Sequence, residues 1–522
     1  MNKRRIAVIS LIALVVLAVI GWNGYGWWLK HKLERYKSEL AARGEKLTVA
    51  ELMKDYKTPE HNSASLLRRA FTLNYRDGVA NTNAPSTMRM IAPGKAMVGW
   101  QQPRLIDYSG KATNTWEELA DDLERSREAI ELLHQMVEHP ALDFGLDYSQ
   151  GFALMLPHLA PIKSAAQTLS AAAMLELHRG NAPAAAQHLR AALALSKGLE
   201  DERLLISHLV RIAITQITIN ACWELVQSPN AIEADLKLIQ SDLEALDFVA
   251  GMRNSFEMER AMGAMTIRHL RDNGGIYDMF SFGGATPPTA TTTTELVKEK
   301  AEQYFSPREI QKTSNELLWQ SALSYEDELR GAQGLQVLIE ACRALEANQP
   351  SALALADAVS ELEVLGQLGS DELFWPGDDD LSLTAIRDAF GRSSRSLLKA
   401  LNKVQFIETS RALAVTTIAL KRYQIRHGSL PSELDALVPE FLPAIPRDPV
   451  DGKALRYQLN ADGSFLLYSV GEDGVDDGGD ASRATKSSSA NHSVMFGRDW
   501  VWPQPATPEE IEIHEQRAPS RN

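Results

Sequence analysis

Five carboxylates crowd one short stretch near the end of the chain: Glu472, Asp473, Asp476, Asp477 and Asp480, interleaved with Gly471, Gly474, Gly478 and Gly479. Like charges this close repel, and the cost is tolerated when they point into water or share a cation. A glycine-rich loop also leaves carbonyl oxygens free, and a cage of oxygen donors suits Ca²⁺. The spacing is not that of an EF-hand loop. The stretch is therefore read as a candidate Ca²⁺ site.

Other chemistry-bearing residues are scattered. Glu131-Leu-Leu-His134 has the Glu-x-x-His spacing of di-metal helix bundles, but no second copy accompanies it, so a surface pair is expected. His158, His178, His188 and His208 recur through alanine-rich helices without a His-Glu-x-x-His motif. Each is expected to be satisfied locally or to face solvent. Asp378-Asp379-Asp380 reads as a helix N-cap whose carboxylates complement the helix dipole. Gly-x-Ser-x-Gly, a P-loop, a dinucleotide fingerprint and paired Cys-x-x-Cys are all absent from the sequence. No catalytic residue is assigned, and a non-catalytic role is expected. The alternative is an extracytoplasmic hydrolase with its site in the helical part, for which a deep pocket lined by converging His, Asp or Glu would speak.

The acidic loop needs elements to position it. A helix closes at Arg426-His427, with Gly428 as its stop and basic residues at its negative end. Leu455–Leu459 and Ser464–Ser469 read as strands joined by the turn Asn460-Ala-Asp-Gly463, a β-hairpin leading into the loop. Several motifs recur in order here: Ala419-Leu-x-x-Tyr423, Gly428-x-x-Pro431, Leu434-x-x-Leu437-Val438 and Pro446-x-Asp448-Pro449-x-x-Gly452, then Tyr457 and Tyr468-Ser-x-Gly471-x-Asp473-Gly474-x-x-x-Gly478-Gly479. Together they resemble the C-terminal domain of the major pseudopilin of type II secretion systems, from about residue 410 to 480. The resemblance implies a long helix on a small antiparallel sheet, with Ca²⁺ held in the loop after the last hairpin. It implies Asp473 as one ligand, in the Gly-x-Asp-Gly turn. Asp476, Asp477, Asp480 and the later Asp499 compete for the second carboxylate. The chain lacks that family's leader, cleavage point and early Glu in residues 1–28, and Val450 stands where the family usually has Trp. Processing by a prepilin peptidase and packing into a pseudopilus are therefore not expected. The rest of the chain resembles uncharacterised membrane-anchored envelope proteins of bacteria, a resemblance that implies no activity.

Lys3-Arg4-Arg5 precedes an apolar run from Ile6 to Ile20, extended by Trp22, Tyr25, Trp27 and Trp28. A span of about 23 residues crosses a hydrocarbon core of roughly 30 Å. Trp27-Trp28 followed by Lys30 and Lys32 fits an interfacial belt, and no small-x-small cleavage site follows. An uncleaved single-pass inner-membrane anchor is expected, with the N-terminus in the cytoplasm and the bulk of the chain in the periplasm. The whole chain has 54 Lys and Arg against 68 Asp and Glu, a net charge of −14. That balance argues against nucleic acid, which needs grouped cations, and leaves envelope proteins and the membrane as the expected partners.

The fold class expected is mainly α: a transmembrane helix, an α-helical bundle or tetratricopeptide-like scaffold, and a small C-terminal α/β module with an antiparallel hairpin sheet. Residues 1–5 form a cytoplasmic tail, 6–28 the anchor, and 29–110 juxtamembrane helices with an irregular segment. Residues 111–280 form the scaffold, 281–294 a Thr/Pro/Gly-rich linker, 295–400 a second helical segment, 401–502 the module and 503–522 a polar tail. Ala171–Leu195 resembles one tetratricopeptide unit, where a solenoid needs about three. Trp116–His139 and the stretch from Ala231 to about Leu270 each read as one helix. Cys222 and Cys342 read as buried small side chains, with pairing open.

Overall fold

The computed structural model describes residues 3–77, 85–106, 112–276, 307–368, 387, 393–482 and 497–517. The expected linker at 281–294 and the run Asp378–Asp380 lie outside the described residues.

Helix α1 (Lys3–Ala42) is one unbroken helix of 40 residues. Gly44 ends it at a φ of +87°, a conformation a side chain would strain. The Thr48–Glu51 capping box opens α2 (Val49–Met53), and Asn62 Oδ1 accepts the Ala64 N–H at the start of α3 (Ala64–Asp77). The stretch read as irregular instead contains two short hairpins. Strand β1 (Arg89–Ala92) pairs with β2 (Lys95–Met97), and β3 (Leu105–Ile106) with β4 (Ala112–Asn114). Strands this short carry too little alternation to show a period.

The single helix expected from Trp116 is two, α4 (Trp116–Arg125) and α5 (Arg127–Gln135). Buried Ser126, at φ −94° and ψ 3°, turns the chain between them. Helices α6 (Leu159–His178) and α7 (Ala182–Gly198) form the expected hairpin, with Gly180 at φ +77° in the turn and buried alanines between the helices. Helix α8 (Leu205–Val226) is apolar and long, but it packs on α6 and α7 as a core helix. The single helix expected over 231–270 is also two, α9 (Glu233–Glu244) and α10 (Val249–Asn273). The break buries Phe248 completely and presents the Asp247 carbonyl to Arg211 Nη1 at 2.7 Å.

Helix α11 (Pro307–Leu318) continues through a π-helical turn, Trp319–Leu323, into α12 (Ser324–Glu346). Pro350 then precedes α13 (Ser351–Val364). Helix α14 (Ser393–His427) runs unbroken across residue 400. It packs on an antiparallel sheet ordered β5 (Arg456–Leu459), β6 (Phe465–Val470), β7 (Asp499–Val501). The hairpin turn closes as its sequence predicts, with Asn460 N–H on Ser464 O at 2.8 Å and Gly463 at φ +82°. The residues read as a polar tail contain β8 (Gln504–Pro505), parallel to β2, and α15 (Pro508–Arg517). One hydrophobic cluster extends from Ala64 to Trp502 and contains both cysteines, which are free. The helices and the C-terminal module are therefore parts of one packed body.

Helix α1 has two halves. From Ile6 to Ile20 it is exposed and largely apolar, and the helix that carries this stretch, Arg4–Ala42, is long and apolar enough to span a membrane. From Trp22 onward it is docked on the π-turn and α12. Trp22 Nε1 donates to Ser321 Oγ at 2.8 Å, and Leu29, Leu33 and Leu40 are buried. Lys37 Nζ reaches the buried Glu328 at 2.5 Å, and Arg271 reaches the same carboxylate at 2.6 Å. Just past the helix, Glu45 takes Arg260 at 2.9 Å and Arg343 at 2.5 Å. Gly26 touches the π-turn so closely that a Cβ would overlap the Ser321 carbonyl oxygen. Gly26→Val should therefore lift α1 off the body. Proteolysis after Ala42 should accelerate about tenfold, equivalent to about 1.4 kcal/mol of lost docking. An unchanged cleavage rate would show that docking does not depend on this approach.

Candidate functional site

The C-terminal acidic loop is built around a carboxylate outside it. Asp499, fully buried at the start of β7, accepts from the backbone N–H of Gly479 at 2.7 Å, Asp480 at 3.2 Å and Asp477 at 3.4 Å. Burial pushes its carboxyl up, against those three donors. Gly471 allows the strand ends to close, since a Cβ there would overlap the Arg498 carbonyl.

Four of the loop carboxylates named from the sequence meet separate sets of partners, with Arg498 shared by two of them. Asp473 Oδ1 accepts the Val475 N–H at 3.0 Å, closing its own turn. Asp476 accepts from Gly478 N–H at 3.1 Å, Tyr468 Oη at 3.0 Å and Arg456 Nε at 3.3 Å, and these bonds, the Gly478 one foremost, hold its carboxyl below the usual range. Asp477 and Asp480 face Arg498 at 3.6 and 3.7 Å. Among the described residues, no three His, Cys, Asp or Glu side chains are grouped as a metal ion requires.

The sequence reading missed the cations. Arg456, on β5, bridges Asp448, Asp451 and Asp476. It sits opposite Tyr468 in the hairpin register, so pairing the strands residue by residue could have placed it beside the loop. Asp448 is completely buried beneath it. It accepts from Arg456 Nη1 at 2.7 Å, Ser469 Oγ at 2.7 Å, and the N–H groups of Val450 and Val470, each at 3.0 Å.

The helical body holds further polar groups. His134 Nε2 and His188 Nδ1 lie 2.9 Å apart in a pocket of about 480 Å³ that Glu131 and Glu176 also line. Burial pushes His188 down to about 3 and lowers His134, so at neutral pH one neutral ring donates to the other. His178 stacks on Trp116 and bonds the Trp100 carbonyl. His208 is buried, and burial, aided by Arg211, pushes it to about 3. His158 Nε2 stands 2.8 Å from Glu202 Oε1, both side chains buried. Glu202 also lines a pocket of about 370 Å³ with Tyr56, Asp143, Asp147, Tyr148 and Asp201. Its polar lining is mostly acidic, with Thr58 and two tyrosines beside the carboxylates.

Glu224 in α8 was also missed. It is fully buried, with Oε1 accepting the Met88 N–H at 2.8 Å and Oε2 the Gly99 N–H at 3.0 Å. It pins both strand-flanking loops of the first hairpin to the core. No family model, curated protein or solved structure matches the chain.

Proposed function

We propose that this protein is a single-pass, membrane-anchored, non-catalytic scaffold of the bacterial envelope. Its N-terminus lies in the cytoplasm and its body in the periplasm, where it engages envelope proteins, in secretion or envelope organisation. The observation that carries this reading is α1. One helix is apolar and exposed over Ile6–Ile20 and locked into the body from Trp22 on. Full-length protein should resist alkaline carbonate extraction from membranes, and protease added to spheroplasts should digest the body. A carbonate-soluble protein would remove the anchor, and a protected body would reverse the orientation.

The pseudopilin-like reading of the C-terminal module rests on its motif order, and the packing of α14 on sheet β5–β6–β7 suits it. Tetratricopeptide-like recognition, in the same reading, falls to the α6–α7 hairpin. Ca²⁺ belongs to this proposal as the ligand of the acidic loop. Its candidate ligands are Asp473, with Asp476, Asp477, Asp480 and Asp499 for the second carboxylate; Arg498 meets Asp477 and Asp480 only at 3.6 and 3.7 Å, and Asp480 Oδ1 also accepts the Ser482 N–H at 2.9 Å. Arg498 then competes with the metal. Arg498→Ala should tighten Ca²⁺ binding about tenfold in calorimetric titration, roughly the 1.4 kcal/mol of one displaced cation. Absence of saturable heat in both proteins would end the Ca²⁺ proposal.

A second reading, an extracytoplasmic hydrolase, has one observation in its favour: the buried His158–Glu202 pair beside an acidic pocket. Water would be the nucleophile. A hydrolytic activity of the full chain that disappears in Glu202→Gln would establish it.

A further inference from the structure

A cavity of about 190 Å³ lies at the seam between body and module, among the start of α10, the turn after α12, α14 and the 447–452 loop. Its walls are tied together by backbone. Ser351 N–H donates to Pro449 O at 2.8 Å and Ala352 N–H to Val450 O at 3.2 Å. Gly452, at φ +75°, lies so near Pro350 that a Cβ would stand 3.2 Å from its ring.

Two side chains lining this cavity are almost wholly buried and have no hydrogen-bond partner. They are Gln405, 3% exposed, at Nε2, and Ser351, 2% exposed, at Oγ. An unpaired buried amide or hydroxyl destabilises the fold that holds it. Arg447 lines the same cavity and forms no ion pair among the described residues. The two carboxylates in the lining are already occupied. Glu408 accepts the Phe248 N–H at 3.1 Å and pairs with Arg411, while Asp448 holds its four donors. The cavity thus offers two buried groups able to donate, the Gln405 amide and the Ser351 hydroxyl, with the exposed Arg447 guanidinium in its wall, and both of its carboxylates are already engaged. Val249, Leu345 and Val404 make the rest of the wall apolar.

We propose that this cavity binds a small monocarboxylate with a short apolar body. The carboxylate accepts from the Gln405 amide, the Ser351 hydroxyl and the Arg447 guanidinium, within the roughly four lone-pair positions it offers. The apolar body packs on Val249, Leu345 and Val404. Such a ligand touches helical body and module together, so it stabilises their docked arrangement. This site stands independently of the anchor and of the acidic loop.

The test is thermal unfolding of full-length protein in detergent at constant ionic strength, with acetate, isobutyrate or isovalerate added. Chloride and isovaleramide serve as controls. Isovalerate should raise the melting temperature saturably and more than acetate, and the controls should not. Arg447→Met should weaken the apparent affinity at least tenfold. Gln405→Met should abolish binding while raising the melting temperature of the free protein, because it replaces an unpaired donor with an apolar group. No saturable rise with any acid overturns the proposal, as does an undiminished response in Arg447→Met, and either leaves the cavity to water. Arg447 is exposed, so its variant folds and decides the question even if Gln405→Met does not.

Discussion

Asp448→Ala should cost the C-terminal module about 3–5 kcal/mol, the usual penalty for removing one partner from a buried charge pair. The carboxylate accepts from Arg456, Ser469, Val450 and Val470 at once. Alanine leaves two backbone N–H groups buried without acceptors, leaves the Ser469 hydroxyl only the Val470 carbonyl at 3.1 Å, and strips Arg456 of its most buried partner. It also frees the Pro446–Leu455 loop from β6. Asp448→Asn keeps one acceptor oxygen and loses the charge, so it should fall between. Hydrogen exchange reports this directly. The Val450 and Val470 amides should lose protection in the alanine variant while amides of α6 and α7 keep theirs. Protection that falls equally in both places, or in neither, would mean that Asp448 does not hold the module together.

Glu224→Ala should be comparably damaging for a different reason. The Met88 and Gly99 N–H groups and α8 share this one carboxylate. Without it, two backbone donors are buried unpaired, at about 1–3 kcal/mol each. Gly99 is closely surrounded, since a Cβ there would overlap the Met174 side chain and the Ser86 carbonyl. The same residue carries a pH dependence. Burial pushes the Glu224 carboxyl from 4.5 to about 8, with the Met88 and Gly99 N–H groups opposing. A folded value above the unfolded one means that the fold holds the proton more tightly. That contribution is complete below pH 4.5 and is lost as pH rises to about 8. Denaturation midpoints of the wild type should therefore fall across this window, by at most about 1.4 kcal/mol per pH unit. Glu224→Gln should flatten the fall relative to wild type. Parallel pH curves for the two proteins would show that Glu224 stays ionised in the fold.

Reading order and spacing served the elements that carry local signals. The Thr48–Glu51 box, the Gly180 turn, the Asn460–Gly463 hairpin and the stop after His427 each depend on residues within four positions of one another. What escaped depends on distance along the chain. The helix breaks at Ser126 and before Phe248 let both flanking helices face one core, a tertiary demand with no local motif. The same holds for the acidic loop. Its composition was legible, but the groups that satisfy it come from Arg456, Arg498 and Asp499. Glu224 meets partners more than a hundred residues away, so no window on the sequence would mark it.

The continuity of α1 has a mechanical consequence. At about 1.5 Å per residue, a helix of this length spans about 60 Å, and its second half is clamped at Trp22, Lys37 and the leucine seam between them. A membrane helix answers a thicker or thinner bilayer by changing its tilt. A flexible tether would absorb that rotation. Under the proposed anchoring, a splinted one would pass it on, and the body would swing with the anchor like the pointer of a gauge. The tilt of α1 in a bilayer would then set the direction in which the docked body faces.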